Sequence, residues 1–111
     1  MVHQAEHGGE LGMSDTLHIE IVSEQPGEYR VYLSDPSGNA LPTDGITLEV
    51  ALIDSAGNEL LNLPAGSADS GEYFIASGGP TDSSETDFRV KVWLSEGAQP
   101  VEMDFTLRYP P

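Results

Sequence analysis

Apolar and polar residues alternate one by one along most of this chain, and that pattern leaves few folds open. Successive side chains on a β-strand point to opposite faces, so a period of two marks a strand with one buried face. In residues 16–22, Leu17, Ile19 and Ile21 share one face, against His18, Glu20 and Val22 on the other. Residues 28–34 repeat this, with Tyr29, Val31 and Leu33 opposite Arg30 and Tyr32. Residues 45–53 carry the longest run, with Ile46, Leu48, Val50 and Leu52 together. Phe88, Val90, Val92 and Leu94 line one face of residues 87–95, opposite Arg89, Lys91 and Trp93. Val101, Met103, Phe105 and Leu107 do the same in residues 101–108. Shorter strands are expected at 59–63, and at 72–76 around Tyr73 and Ile75. No stretch has the period of a helix longer than one turn.

The segments between these runs are made of turn residues. Ser23-Glu24-Gln25-Pro26-Gly27, Asp35-Pro36-Ser37-Gly38-Asn39, Asp54-Ser55-Ala56-Gly57-Asn58 and Gly97-Ala98-Gln99-Pro100 each bring proline, glycine or Asx residues to the points where strands must reverse. Strands of this length, at this spacing, predict an all-β chain: an Ig-like antiparallel β-sandwich of about seven strands over residues 16–109. Residues 1–15 lack either period and contain Gly8-Gly9, so they read as a flexible histidine-containing N-terminal arm.

The 111 residues suit one domain, large enough to bury a core without staples. The absence of cysteine removes disulfides, thiolate metal sites, iron–sulfur clusters and cysteine nucleophiles. Four Lys and Arg against 19 Asp and Glu give a formal net charge of −15. Such a surface lacks the basic footprint that nucleic acid or an anionic membrane requires, and it concentrates cations. No apolar run approaches the ~20 residues of a spanning helix, so membrane insertion is not expected. Met1 is followed by a polar His/Glu segment rather than by a basic stretch and an apolar core. The sequence therefore reads as a cytoplasmic protein or as a mature exported domain, and composition favours neither.

Enzyme chemistry finds little support. A serine nucleophile needs a histidine base beside it, and every histidine lies within the first 18 residues. No Gly-x-Ser-x-Gly elbow is present, and the glycine pairs lack the strand–loop–helix setting of a phosphate loop. The Asp35–Asn39 and Asp54–Asn58 segments are accounted for by hairpin geometry. The more open loop from Asp82 through Glu85 to Asp87 is a weak calcium candidate, without EF-hand spacing. The protein is expected to be no enzyme.

What stands out is the clustering of His3, His7 and His18, with Met13 among them and Met103 as a further soft donor. Imidazole suits copper and zinc, and thioether favours cuprous copper. Glu20 follows His18 on the same strand face, within about 7 Å by strand rise. Folding back at Gly8-Gly9 would carry His3 or His7 towards His18, giving a candidate metal site of His7, His18, His3, Met13 and Glu20. Solvated histidines at ordinary frequency are the competing reading, and a histidine at position three beside a free amino terminus binds cupric ion by itself.

The runs Glu6-His7-Gly8-Gly9-Glu10-Leu11, Leu17-His18-Ile19-Glu20-Ile21-Val22, Glu28-Tyr29-Arg30-Val31-Tyr32-Leu33 and Gly38-Asn39-Ala40-Leu41-Pro42 resemble small bacterial periplasmic β-sandwich domains associated with heavy-metal efflux adaptor proteins. The resemblance covers residues 6–42. It implies a periplasmic or extracellular location, a copper or zinc ion handled at His7 and His18, and an efflux or envelope protein as partner. A monomer is expected. The alternative is an Ig-like structural or interaction module of a larger exported protein, without a metal role. Its partner surface would be an outward aromatic patch of Tyr32 and Trp93.

Overall fold

The computed structural model describes residues 8–79, 81–82 and 84–109. These residues form an antiparallel β-sandwich of nine strands: β1 (Glu10–Met13), β2 (His18–Val22), β3 (Glu28–Ser34), β4 (Thr47–Ile53), β5 (Glu59–Leu63), β6 (Ala65–Ser67), β7 (Phe74–Ser77), β8 (Glu85–Trp93) and β9 (Val101–Arg108). Five form one sheet in the order β1-β2-β3-β7-β6, and four form the other in the order β5-β4-β8-β9. Among the described residues no helix is long and apolar enough to cross a membrane.

The alternating runs pack as their sequence requires. Leu17, Ile19, Ile21, Tyr29, Val31 and Leu33 from the first sheet meet Leu48, Val50, Leu52, Phe88, Val90 and Val92 from the second. Tyr29 and Phe88 meet edge-on at the centre, ring centroids 4.6 Å apart, the geometry that aromatic quadrupoles prefer. The expected hairpin of residues 16–22 with 28–34 forms, with Ile19 opposite Leu33 and Ile21 opposite Val31.

Three expectations change. Residues 1–15 are not a free arm throughout: Glu10–Met13 adds to the sheet edge as β1, antiparallel to β2. Gly12 makes this close approach possible, because a Cβ there would lie 2.6 Å from Met103 Sδ and 3.0 Å from Phe105 Cζ. Second, Ala65–Ser67 forms the short edge strand β6, which contains too few apolar residues to show a period. Third, β7 buries Phe74 and Ala76 and turns Ile75 outward, rather than packing around Tyr73 and Ile75. Register explains this, since Val31 pairs with Phe74 and Tyr29 with Ala76, and cross-strand partners share a face.

The turns behave as their composition demands. At residues 35–39 and again at 54–58, an aspartate Oδ1 accepts two backbone N–H bonds while its Oδ2 accepts from an asparagine side chain. Gly38 and Gly57 supply the positive φ, 92° and 85°. These bonds hold the Asp35 and Asp54 carboxyls below the ordinary aspartate range, the backbone N–H of Asn39 and of Asn58 being the largest cause in each.

Candidate functional site

The site lies on the outer face of the five-stranded sheet. Strand register sets two rows of side chains there: Leu11–Glu20–Tyr32 and Met13–His18–Ser34, running across β1, β2 and β3. Partners directly opposite in an antiparallel pair have Cβ atoms about 4.5–5.5 Å apart, so each row is contiguous. Loops close over this face. The Leu41 N–H donates to Leu33 O at 2.9 Å, fixing one loop against β3. The Thr43 N–H donates to Gly71 O at 2.9 Å, and Thr43 Oγ1 lies 2.5 Å from Ser67 Oγ, which ties that loop to the turn at residues 68–71.

Between sheet and loops is a cavity of about 490 Å³, lined by His18, Glu20 and Tyr32 at the sheet and by Leu41, Gly71 and Glu72 from the loops. His18 is on the outer face, as its place in the alternation predicts. It is nonetheless buried, 6% exposed, and Glu20 is 4% exposed. The correction to the expectation of a solvent-facing imidazole has a plain cause: β1 flanks β2 on one side and the loops roof the face. Glu20 Oε2 accepts the Gly9 N–H at 2.9 Å, so the glycine pair secures β1 to the site. A carboxylate acceptor makes this a charge-assisted bond, stronger than a neutral one.

The candidate ligands divide. His18 and Glu20 are brought together as expected. Met13 stands opposite His18 in register but is 56% exposed at the sheet edge. His3 and His7 lie outside the described residues. Met103 is on the wrong side: it packs against the core next to Gly12, whereas His18 faces away from the core. Among the described residues no three His, Asp or Glu side chains form a group able to hold a metal. The described donors are thus one imidazole and one carboxylate, with a thioether beside them. These types fit copper or zinc but fall short of the four ligands of a closed zinc site.

Other candidates resolve clearly. In the proposed calcium loop, Asp87 accepts from Thr106 Oγ1 at 2.7 Å and Glu85 pairs with Arg108 at 3.2 Å. Both belong to β8, where cross-strand pairing with β9 engages them. Tyr32 and Trp93 do not form one patch, because they lie on the outer faces of different sheets. Tyr32 instead stacks with Tyr73, centroids 5.0 Å apart, and the Arg30 guanidinium sits 5.7 Å from the Tyr73 centroid.

Sequence reasoning missed the cavity and its walls, particularly Glu72 and the Leu41-Pro42 loop. The only legible signal was that Leu41-Pro42 follows a tight turn and so must fold back near β3.

The class of the protein is given by this architecture: a small two-sheet antiparallel β-sandwich. No family model matches the chain, and no curated protein matches its sequence. Solved structures share the fold, among them the following two. One is a DUF4426 family protein from Pseudomonas aeruginosa PAO1, with a TM-score of 0.59 and 14% identity, covering 89% of this chain and 94% of that one. The other is FetP from uropathogenic E. coli strain F11, which was expressed recombinantly in the periplasm, with a TM-score of 0.59 and 10% identity over 91% and 93% of the two chains. At these identities the likeness is one of fold. The resemblance of residues 6–42 to efflux-associated domains has no counterpart in these sequence comparisons.

Proposed function

We propose that this protein is a non-enzymatic metal-binding domain of the bacterial periplasm that takes a copper or zinc ion. The observation that carries the reading is the burial of His18 and Glu20 side by side on an outer sheet face, where they line an open cavity rather than serve the core. A strand's outward imidazole ordinarily stays in water. Here loops and an added edge strand enclose it beside a carboxylate, in a chain of net charge −15 that draws cations. His18 would supply a nitrogen and Glu20 an oxygen, with Met13 at the sheet edge and His3 and His7 as the remaining donors that the sequence offers. The bound ion would be stored or passed on, and the partner would be an envelope or efflux protein. The recombinant expression of FetP, a protein of the same fold, in the periplasm is compatible with this location.

The test is a titration of tag-free protein with Cu(II) and Zn(II), followed by the histidine ring resonances. Because a histidine at position three binds cupric ion alone, His3→Ala protein is titrated in parallel. The His18 ring is expected to respond at micromolar metal in both. A His18 ring that stays unchanged in both proteins refutes the proposal.

A further inference from the structure

The cavity is larger than a metal ion requires. Its volume is about 490 Å³, whereas a water takes about 30 Å³, so an ion with its remaining waters fills a fraction of it. The volume lies within the ~300–1,000 Å³ of small-molecule pockets. We propose that the cavity is a receptor site for a small organic ammonium ion with an apolar body. This goes beyond the metal reading and does not rest on it, because it requires neither His18 nor a metal.

Shape and chemistry lead to the same class of occupant. Leu11 and Leu41 provide apolar walls, and Tyr32 an aromatic one. Two carboxylates line the same space, Glu20 buried and Glu72 exposed. Among the described residues no lysine or arginine lines it. Three of the four cationic side chains, Arg89, Lys91 and Arg108, are held in ion pairs on the outer face of the other sheet. The fourth, Arg30, lies over Tyr73. The two carboxylates give the cavity a negative field and the leucines give it apolar walls, which disfavours carboxylates and phosphates and favours a cationic head on a hydrocarbon body. Next to the cavity, Tyr73 packs against Tyr32 and takes the Arg30 guanidinium over its own ring, 5.7 Å from the centroid. The chain's own backbone bonds, Leu41 N–H to Leu33 O and Thr43 N–H to Gly71 O, hold the loops that wall the cavity.

The experiment compares three probes of one shape on chelator-treated full-length protein: 4-phenylbutylammonium, 4-phenylbutanol and 4-phenylbutyrate. Binding is followed by amide 1H–15N shifts and by calorimetry. The ammonium is expected to bind saturably, moving the Leu33, Leu41 and Gly71 amides. The alcohol should bind roughly tenfold more weakly, having lost the charge-assisted contact, and the carboxylate should not bind. Glu72→Gln, an exposed change that leaves the fold intact, should weaken the ammonium about threefold and leave the alcohol unchanged. Equal binding of carboxylate and ammonium overturns the proposal. So do shifts confined to residues away from the cavity, or an ammonium affinity that Glu72→Gln leaves unchanged. Failure of the His18 ring to respond to Cu(II) or Zn(II) would end the metal reading and leave this test untouched, since no metal is present in it.

Discussion

Gly9→Ala is the sharpest single test of how β1 is held to the site. A Cβ built at Gly9 falls 2.2 Å from the Ile21 carbonyl oxygen and 2.8 Å from Val22 Cγ2. Ordinary contact begins near 3.4 Å, so the backbone must move by roughly 1 Å, and a backbone oxygen cannot swing aside as a side-chain tip can. Two outcomes compete. If β1 stays, overpacking costs about 1–3 kcal/mol. If its first residues lift away, the 2.9 Å bond from the Gly9 N–H to Glu20 Oε2 is lost, and bonds to charged groups contribute about 1.5–3 kcal/mol. Either way the expected cost is about 2 kcal/mol, which for a domain of this size lowers Tm by roughly 8 °C. Calorimetry measures the loss, and hydrogen exchange locates it: the β1 amides should lose protection while those of β4 and β8 keep theirs. Gly66→Ala is the control. Like Gly9 it has no positive φ, but it lies within β6 and nothing is within 4 Å of its Cβ position. It should be neutral, or stabilising by about 0.4–1 kcal/mol through the unfolded chain. If Gly9→Ala melts within 2 °C of the parent, or if Gly66→Ala falls as far, the account of β1 is wrong.

The turn at residues 54–58 predicts a pH effect. Asp54 ionises below the ordinary aspartate value of about 3.9, held there first by the Asn58 backbone N–H and then by the Asn58 side chain. A depressed folded-state value contributes stability that is present above the unfolded value and lost as pH falls through the folded one. Asn58→Ala should therefore raise the Asp54 midpoint in a carboxyl 13C titration and flatten the loss of stability in acid; an unmoved midpoint contradicts the assignment. Tyr109→Phe removes the 2.8 Å bond from the Tyr109 hydroxyl to Ser23 Oγ, which joins the end of β9 to the β2–β3 turn across the two sheets. The expected cost is about 0.5–1.5 kcal/mol at half burial, read as a fall in Tm of a few degrees. Asp82→Ala should leave Tm unchanged when calcium is added or removed, since Glu85 and Asp87 are engaged by Arg108 and Thr106.

The fold was legible wherever one strand face was buried and the other was not. Residues 28–34, 59–63 and 101–108 were bounded correctly from alternation and turn residues alone, and match β3, β5 and β9. Failures occurred where burial came from elsewhere. β1 reads Glu-Leu-Gly-Met, with no alternation, because Gly12 turns its missing side chain to the core so that Met103 and Phe105 can approach. β7 was phased one residue off, since Tyr73 and Ile75 have as strong an apolar signal as Phe74 and Ala76, and only pairing with β3 decides between them. Half of the candidate site was legible by the same rule: His18 and Glu20 share an outward face by period. Their burial was not, since it depends on β1 and on loops whose return over the sheet has no periodic trace.

The two outer faces of the sandwich solve opposite problems, and this difference argues for a site on one of them. On the four-stranded sheet, Arg89 bonds Asp104, Lys91 bonds Glu59, and Arg108 bonds Glu85, so cations and carboxylates from neighbouring strands neutralise one another in water. Such exposed pairs contribute little singly, but they keep a strongly acidic sheet from repelling itself. On the five-stranded sheet no lysine stands among β1, β2 and β3, and its one arginine is turned to Tyr73. A buried carboxylate there, Glu20, accepts the Gly9 N–H at 2.9 Å. A fold selected only for stability would place an apolar side chain at that position, as replacing buried polar groups by apolar ones of similar volume is often neutral or better. Retaining Glu20 and His18 beside a cavity, with three of the four lysine and arginine side chains paired on the far face, is the arrangement of a surface that receives positive charge from outside.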